Sequence, residues 1–344
     1  MSTRWLSVIM PTYNGSRYLE EALQSLLAQQ EPDMELVVVD DGSIDETFAI
    51  LQSYSTQLRM TLVRLEHTGN WAANTNLGMS LAKGRYICWL HQDDTWCPQR
   101  LRQLKALATR WPNAVCLVHP AWFIDPAGRR VGLWRCPMPQ RVHCVPSRQW
   151  LPHLLIHNFL AASAPLFLAE AAARAGGLDE HLWYLADWDF WLKLACLGDT
   201  AYHPRPLASF RLHPGSQTWT CPHRIADVER QYAVVHARHL ASWQAAHPHD
   251  DAVAQAARFA AQSSLALMRC VGREKVRWFR LLWDFVALNP KARRAFLRDS
   301  RIIDRVVSRL RVRIRLASRT GKLDVPPPLQ KAAQHGTHRL AKVT

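Results

Sequence analysis

Residues 35–47 read ELVVVDDGSIDET. Leu36 to Val39 form an unbroken apolar run, three of the four β-branched. A strand buried on both faces reads this way, which is the usual state of a strand in a parallel sheet. Two adjacent aspartates and a glycine end the run. DDGS by itself reads as a turn, whereas the side-by-side Asp93 and Asp94 further along require either a solvated turn or a compensating cation, because adjacent carboxylates repel.

Working outward, the neighbouring segments alternate between strand and helix patterns. LSVIMP (6–11) is a short apolar run closed by proline, and SRYLEEALQSLLAQQ (16–30) places Tyr18, Leu19, Ala22, Leu23, Leu26 and Leu27 on one helical face. After the opening stretch, 43–54 predicts a helix with acidic residues in its first turn, 60–66 a strand, and 70–84 a helix closed by Gly84. Residues 85–90 predict a strand, 98–111 a helix with proline at its start, and 114–119 a fifth strand. Five strands with helices between them imply an α/β fold, a mostly parallel sheet flanked by helices.

In such sheets ligands sit beyond the carboxyl ends of the strands. Three strands deliver polar groups there: PTYN (11–14), DDGS (40–43) and HQDD (91–94). No G-x-G-x-x-G follows the first strand and there is no G-x-x-x-x-G-K-[ST]. A dinucleotide dehydrogenase and a P-loop NTPase therefore lose support. Further on, YLADWDFWLKLACLGD (184–199) predicts a helix with Asp187 in the position of an N-cap and Phe190, Trp191, Leu194, Ala195 and Leu197 buried.

Together these segments resemble the family 2 glycosyltransferases of GT-A fold, Rossmann-like enzymes that use nucleotide-diphosphate sugars. The matching pieces are SVIMPTYNGSRYLEEALQSLLAQ, ELVVVDDGSIDET, NLGMSLAKGRYICWLHQDD, ADWDFWLKLACLGD and FRLHPGSQT, in the family's order, covering residues 6 to about 218. The resemblance implies nucleotide-sugar contacts at Thr12, Tyr13, Asn14, Asp41 and Asp93. It implies a divalent metal, Mn²⁺ or Mg²⁺, on Asp93 and Asp94, with Asp94 favoured as the main ligand. It makes Asp187 the catalytic base, with Asp189 a lesser alternative, and places His213 at the acceptor-side loop or the diphosphate. Two positions depart from the family pattern. HQDD lacks the first aspartate of the longer D-A-D-D form, and Ala186 stands where glutamate is common.

Carboxylates suit this chemistry. A hard divalent cation takes oxygen ligands and stabilises charge on a departing diphosphate. A positioned carboxylate removes the proton of an acceptor hydroxyl. One base with in-line attack gives inversion, and no Q-x-x-R-W of processive synthases is present, so single-sugar transfer is expected. The implied donor is a UDP- or dTDP-sugar, and the acceptor a glycan or lipid-linked hydroxyl in envelope polysaccharide, lipopolysaccharide or glycolipid assembly. Two rivals are a nucleotidyltransferase and a degenerate nucleotide-sugar or membrane-binding protein without transfer.

Charge divides the chain. Residues 1–229 hold 20 Lys+Arg and 21 Asp+Glu, whereas residues 230–344 hold 23 and 7. The expected organisation is a glycosyltransferase domain at 1–222, nucleotide-binding to about 120 and acceptor-binding beyond. A basic α-helical extension follows at 223–322, then a flexible tail at 323–344. In the extension, Ile302, Ile303, Val306, Val307, Leu310 and Ile314 share a helical face. It reads as a solvated appendage, as an interfacial anchor on an anionic membrane, or as a nucleic-acid binder, the last without a recognised module. No apolar run reaches about 18 residues and the first residues lack signal-peptide zones. The expected location is cytoplasmic, peripheral on the inner membrane face under the anchor reading. Eight cysteines without a C-x-x-C pair read as buried reduced thiols.

Overall fold

The structure is a computed structural model and describes residues 4–220, 224–272, 274–304, 306–307, 311 and 340–343. The chain begins β1 (Arg4–Thr12), α1 (Ser16–Leu27), β2 (Met34–Asp40), α2 (Thr47–Tyr54), β3 (Met60–Leu65), α3 (Trp71–Leu81) and β4 (Gly84–Trp89). It continues β5 (Thr95–Trp96), α4 (Arg100–Arg110), β6 (Cys116–Val118), β7 (Ala121–Ile124), β8 (Arg130–Trp134), β9 (His143–Val145), α5 (Ser147–Ile156), β10 (Leu166–Leu168) and α6 (Ala169–Ala175). Then come α7 (Ala186–Leu197), β11 (Thr200–Tyr202), β12 (Ala208–Arg211) and α8 (Gln217–Thr220). The C-terminal third adds α9 (Ile225–Val235), α10 (Ala241–Ala246), α11 (Ala252–Val271), α12 (Trp278–Ala287), α13 (Pro290–Asp299) and the short β13 (Leu340–Val343). A π-helical turn, His236–Leu240, joins α9 to α10.

The main sheet runs β13-β3-β2-β1-β4-β10-β6-β11-β9. Strands β3, β2, β1 and β4 are parallel, as the apolar run at 36–39 predicts. The fifth expected strand does not lie beside β4. Strand β10 inserts between β4 and β6 and pairs antiparallel with both. A second sheet has the order β5-β12-β7-β8, its first strand following shortly after β4 in the chain.

Alternation along the strands feeds two apolar layers. Leu6, Val8 and Met10 of β1 pack with Leu19, Leu23 and Leu26 of α1, while Ile9, Val37 and Trp89 turn to the other face. That second layer is continuous with buried residues of α9 and α11, among them Val228, Tyr232, Ala256 and Phe259. The helical third thus shares one core with the sheet and is not hung beside it.

The cysteines differ in part from expectation, and two other expected features lie largely outside the described residues. Cys88, Cys116 and Cys136 are buried thiols, but Cys196 and Cys270 are exposed. Of the face expected around residues 302–314, Leu310 and Ile314 lie outside the described residues. Most of the tail does as well, except that Leu340–Val343 pairs antiparallel with β3.

Candidate active site

Register places the polar strand ends together. Thr12 lies opposite Asp40 across β1 and β2, and Ile9 opposite Trp89 across β1 and β4. PTYN, DDGS and HQDD therefore leave the sheet at one edge. Thr12 Oγ1 donates to Asp40 Oδ1 at 3.2 Å, and the Ser43 hydroxyl and amide donate to the same carboxylate. Asn14, in the left-handed region at φ 46°, accepts from Ile44 N, and its own amide donates to Ser43 Oγ. The side chains of Thr12 and Asn14 are thus engaged in holding the turns.

Asp41 is buried. It accepts from Thr68 N at 2.9 Å, Thr68 Oγ1 at 3.0 Å and Gly69 N at 2.8 Å, and its Oδ2 lies 3.0 Å from His67 Nδ1. It fastens the loop that follows β3. Tyr13 remains open, 39% exposed, with its ring stacked on His67 at 3.9 Å and 14°. Gln92 ties this turn to HQDD by accepting from Tyr13 N and donating to Tyr13 O, both at 2.9 Å. A Cβ at position 15 would sit 2.2 Å from Gln92 Oε1, so a larger residue there would displace the Gln92 side chain from its two hydrogen bonds with Tyr13.

The two aspartates of HQDD stand in different surroundings. Asp94 is 1% exposed, with Oδ2 accepting from Ser163 Oγ at 2.6 Å and Oδ1 from Arg211 N at 3.0 Å. Burial, and then the charge of Asp93, push its carboxyl well above the usual range. Asp93 is more open, and its Oδ2 lies 2.9 Å from His213 Nε2. Burial would raise Asp93, but the hydrogen bond and charge of His213 carry it below the ordinary value. The shared negative charge therefore rests on Asp93. Both oxygens of Asp94, the residue expected as the main ligand, brace β12 and the segment around Ser163, and Asp93 is the more open of the two.

Donor atoms of His91, Asp93 and Asp94 lie within 4.8 Å of one another. The buried Nε2 of His91 has no hydrogen-bond partner among the described residues. An oxygen-and-imidazole set with one unsatisfied buried nitrogen fits a divalent cation of the Mn²⁺ or Mg²⁺ type. Arg211, fully buried, holds the frame by donating to Asp93 O at 2.8 Å and Glu21 Oε2 at 2.6 Å.

Helix α7 carries the third carboxylate. It starts at Ala186, so Asp187 is its second residue and not the N-cap, which is Leu185. Asp187 Oδ1 accepts from Trp188 N at 2.7 Å and Oδ2 from Asn158 Nδ2 at 3.0 Å. Burial pushes its carboxyl up to about 6, against the pull of those two hydrogen bonds. Phe190 and Trp191, on the same helix, pack against Trp89 at the end of β4, at 5.4 and 4.6 Å between ring centroids.

Asp189 is fully buried and accepts from Arg238 at 2.6 Å and His239 at 2.8 Å, while Lys193 pairs with it at 2.8 Å. Burial alone would raise it, but the hydrogen bonds from His239, Lys193 and Arg238 and the charge of Lys193 hold it at about 2. It fastens α7 to the π-helical turn and has no open oxygen for a base. Because its folded value lies below the unfolded one, its contribution is complete above pH ~4 and disappears as pH falls through about 2. Asp189→Ala removes the buried carboxylate shared by Lys193, Arg238 and His239 and is expected to cost about 3 kcal/mol in urea unfolding.

Sequence reasoning does not find Asn158, Ser163, Gln92, His67 or Arg211. Asn158 and Ser163 lie five positions apart on one loop yet brace Asp187 and Asp94 respectively. Gln92, inside HQDD, and Arg211, inside FRLHPGSQT, stood in segments that already pointed to function.

Residues 7–159 match Glycosyl transferase family 2. An uncharacterized glycosyltransferase of Rickettsia prowazekii is 27% identical over 225 residues, 65% of this chain and 69% of that one. The putative teichuronic acid biosynthesis glycosyltransferase TuaG of Bacillus subtilis is 38% identical over 113 residues, 31% of this chain and 45% of TuaG. The solved structure of S. aureus TarS 1–349 in complex with UDP-GlcNAc superposes with TM-score 0.59 at 18% identity, over 97% of this chain and 98% of that one. At that identity the likeness speaks for the fold, GT-A. The family match spans β1 to the Asn158 loop and the relatives are named for the same activity, so residues 7–159 carry a glycosyl transferase family 2 domain and the protein is a glycosyltransferase.

Proposed function

We propose that the protein transfers a single sugar from a nucleotide-diphosphate donor to an acceptor hydroxyl with inversion, assisted by a divalent metal. One observation carries the reading. A single loop, through Asn158 and Ser163, braces both the raised carboxyl of Asp187 and the HQDD motif beneath the sheet edge. A proton acceptor tuned near neutrality, tied through one loop to a motif with the donor atoms for a cation, is what sugar transfer from a diphosphate requires.

Tyr13, open at the edge and stacked on His67, offers a flat surface for the nucleobase, and Asp41 holds the loop beside it. Asp93 with His213, and His91 within reach, would hold the cation, which supplies charge stabilisation to the departing diphosphate. Asp187 accepts the acceptor hydroxyl proton. The hydroxyl oxygen bonds to the anomeric carbon as the bond from that carbon to the diphosphate oxygen breaks. The electron pair leaves with the nucleotide. Asn158 and Trp188 N fix the carboxylate for this attack.

TarS has been solved with UDP and with UDP-GlcNAc, which supports a uridine- or thymidine-diphosphate sugar here. TuaG is named for teichuronic acid biosynthesis, which supports an acceptor in a cell-envelope polymer or glycolipid. The test is thermal stabilisation by UDP and dTDP, followed by transfer assays. Stabilisation is expected to grow by several degrees when Mn²⁺ accompanies the nucleotide, since ligands that bind only the folded state raise its stability. Equal shifts with and without Mn²⁺ would rule out the metal role.

A further inference from the structure

Helix α12 turns its apolar side the wrong way for a helix that only supports a protein core. Leu281 and Phe285 pack inward. Five larger or branched side chains face water on the opposite arc: Trp278 at 51% exposure, Phe279 at 92%, Leu282 at 62%, Trp283 at 73% and Val286 at 55%. No residue of the helix is buried. A contiguous apolar patch of several hundred Å² on a surface marks an interaction site.

The cations around it indicate what covers it. Lys275, Arg277 and Arg280 flank the exposed arc, and Lys291, Arg293 and Arg294 open the next helix. None of the six is held by a carboxylate among the described residues. A second copy seated face to face would bring these like charges together, which disfavours self-association. Apolar side chains that include two tryptophans, rimmed by unpaired cations, match the boundary between the acyl chains and the headgroups of an anionic bilayer. Among the described residues no helix is long and apolar enough to cross a membrane, so such contact would be interfacial.

We propose that α12 is a docking face for an anionic lipid bilayer, with the aromatic arc inserted and the flanking lysines and arginines on the headgroups. The inference does not depend on the sugar-transfer reading, and its test reads no transfer.

The full chain is sedimented with vesicles of phosphatidylglycerol mixed with phosphatidylethanolamine, and with vesicles of phosphatidylcholine alone. Binding is expected to the first only, and to weaken at high salt. The double variant Phe279→Ser, Trp283→Ser is expected to bind about tenfold or more weakly. Its thermal unfolding should be unchanged, since both side chains already face water. The proposal is overturned if the wild-type chain stays in the supernatant or if the double variant sediments equally well. It is also overturned if the chain is a dimer that this variant converts to monomer without any loss of lipid binding.

Discussion

Asp187→Asn lowers the rate of sugar transfer by a factor of about 10² to 10⁴, the usual contribution of a general base, while nucleotide binding persists. Asparagine keeps the shape and can still accept one of the hydrogen bonds from Trp188 N and Asn158, but it cannot take a proton. The same change has an unusual effect on stability. A carboxyl raised to about 6 by burial binds its proton more readily folded than unfolded. It therefore costs stability as pH rises from ~4 through about 6, and the cost is complete above that. The neutral amide avoids it, so the variant is expected to unfold about 1–2 kcal/mol later at neutral pH despite being inactive. In the wild type, kcat/KM is expected to climb with pH through about 6 as the carboxyl ionises. Asn158→Leu removes a hydrogen bond to the ionised form, so its acid limb should move up by about one unit. Full activity in Asp187→Asn with the true acceptor would transfer the role of base elsewhere, and Asp189, enclosed by Lys193, Arg238 and His239, is not a candidate.

The sheet was readable because its strands leave strong local marks. The apolar run at 36–39 can only sit buried on both faces, and the spacing in α1 matches its buried face residue by residue at Tyr18, Leu19, Ala22, Leu23 and Leu26. What distant parts of the chain contribute left no such mark. Strand β10 is three residues long and slips between β4 and β6, a pairing that no local pattern encodes. The same holds in the site. Asn158 and Ser163 lie in an irregular stretch, and each acquires its meaning only from a partner 29 or 69 positions away. The adjacency of Asp93 and Asp94 was plain in the sequence, but their division of labour was not. Neighbours on a turn point in different directions, and burial then decides which carboxylate stays open. Helix α12 shows the converse. Its mixture of arginines with large apolar residues leaves several readings open in the sequence, and their exposure identifies the arc as a surface.

Asp93→Asn and Asp94→Asn separate the two carboxylates. Asp93 offers an open carboxylate whose nearest partner is His213, and the charge of the pair resides on it. Converting it to the amide removes an anionic oxygen from the cation site without leaving any buried group unpaired. Mn²⁺ affinity should fall, and transfer should drop by about 10²-fold or more, the loss expected when several kcal/mol of charge stabilisation disappear. Asp94→Asn leaves a carbonyl to accept from Ser163 or Arg211 N, so the variant should keep its Mn²⁺ affinity within a few fold and lose only modest stability. Asp94→Ala is different again. It strands the Ser163 hydroxyl and the Arg211 amide in a buried site and should cost about 2–4 kcal/mol. Mn²⁺ titration by paramagnetic broadening, run beside urea unfolding, reads both effects independently. If Asp94→Asn abolishes Mn²⁺ binding while Asp93→Asn retains it, the cation sits deeper than Asp93. The brace formed by Ser163 and Arg211 would then have to open before the metal enters, and donor binding, not folding alone, would set the final arrangement of the motif.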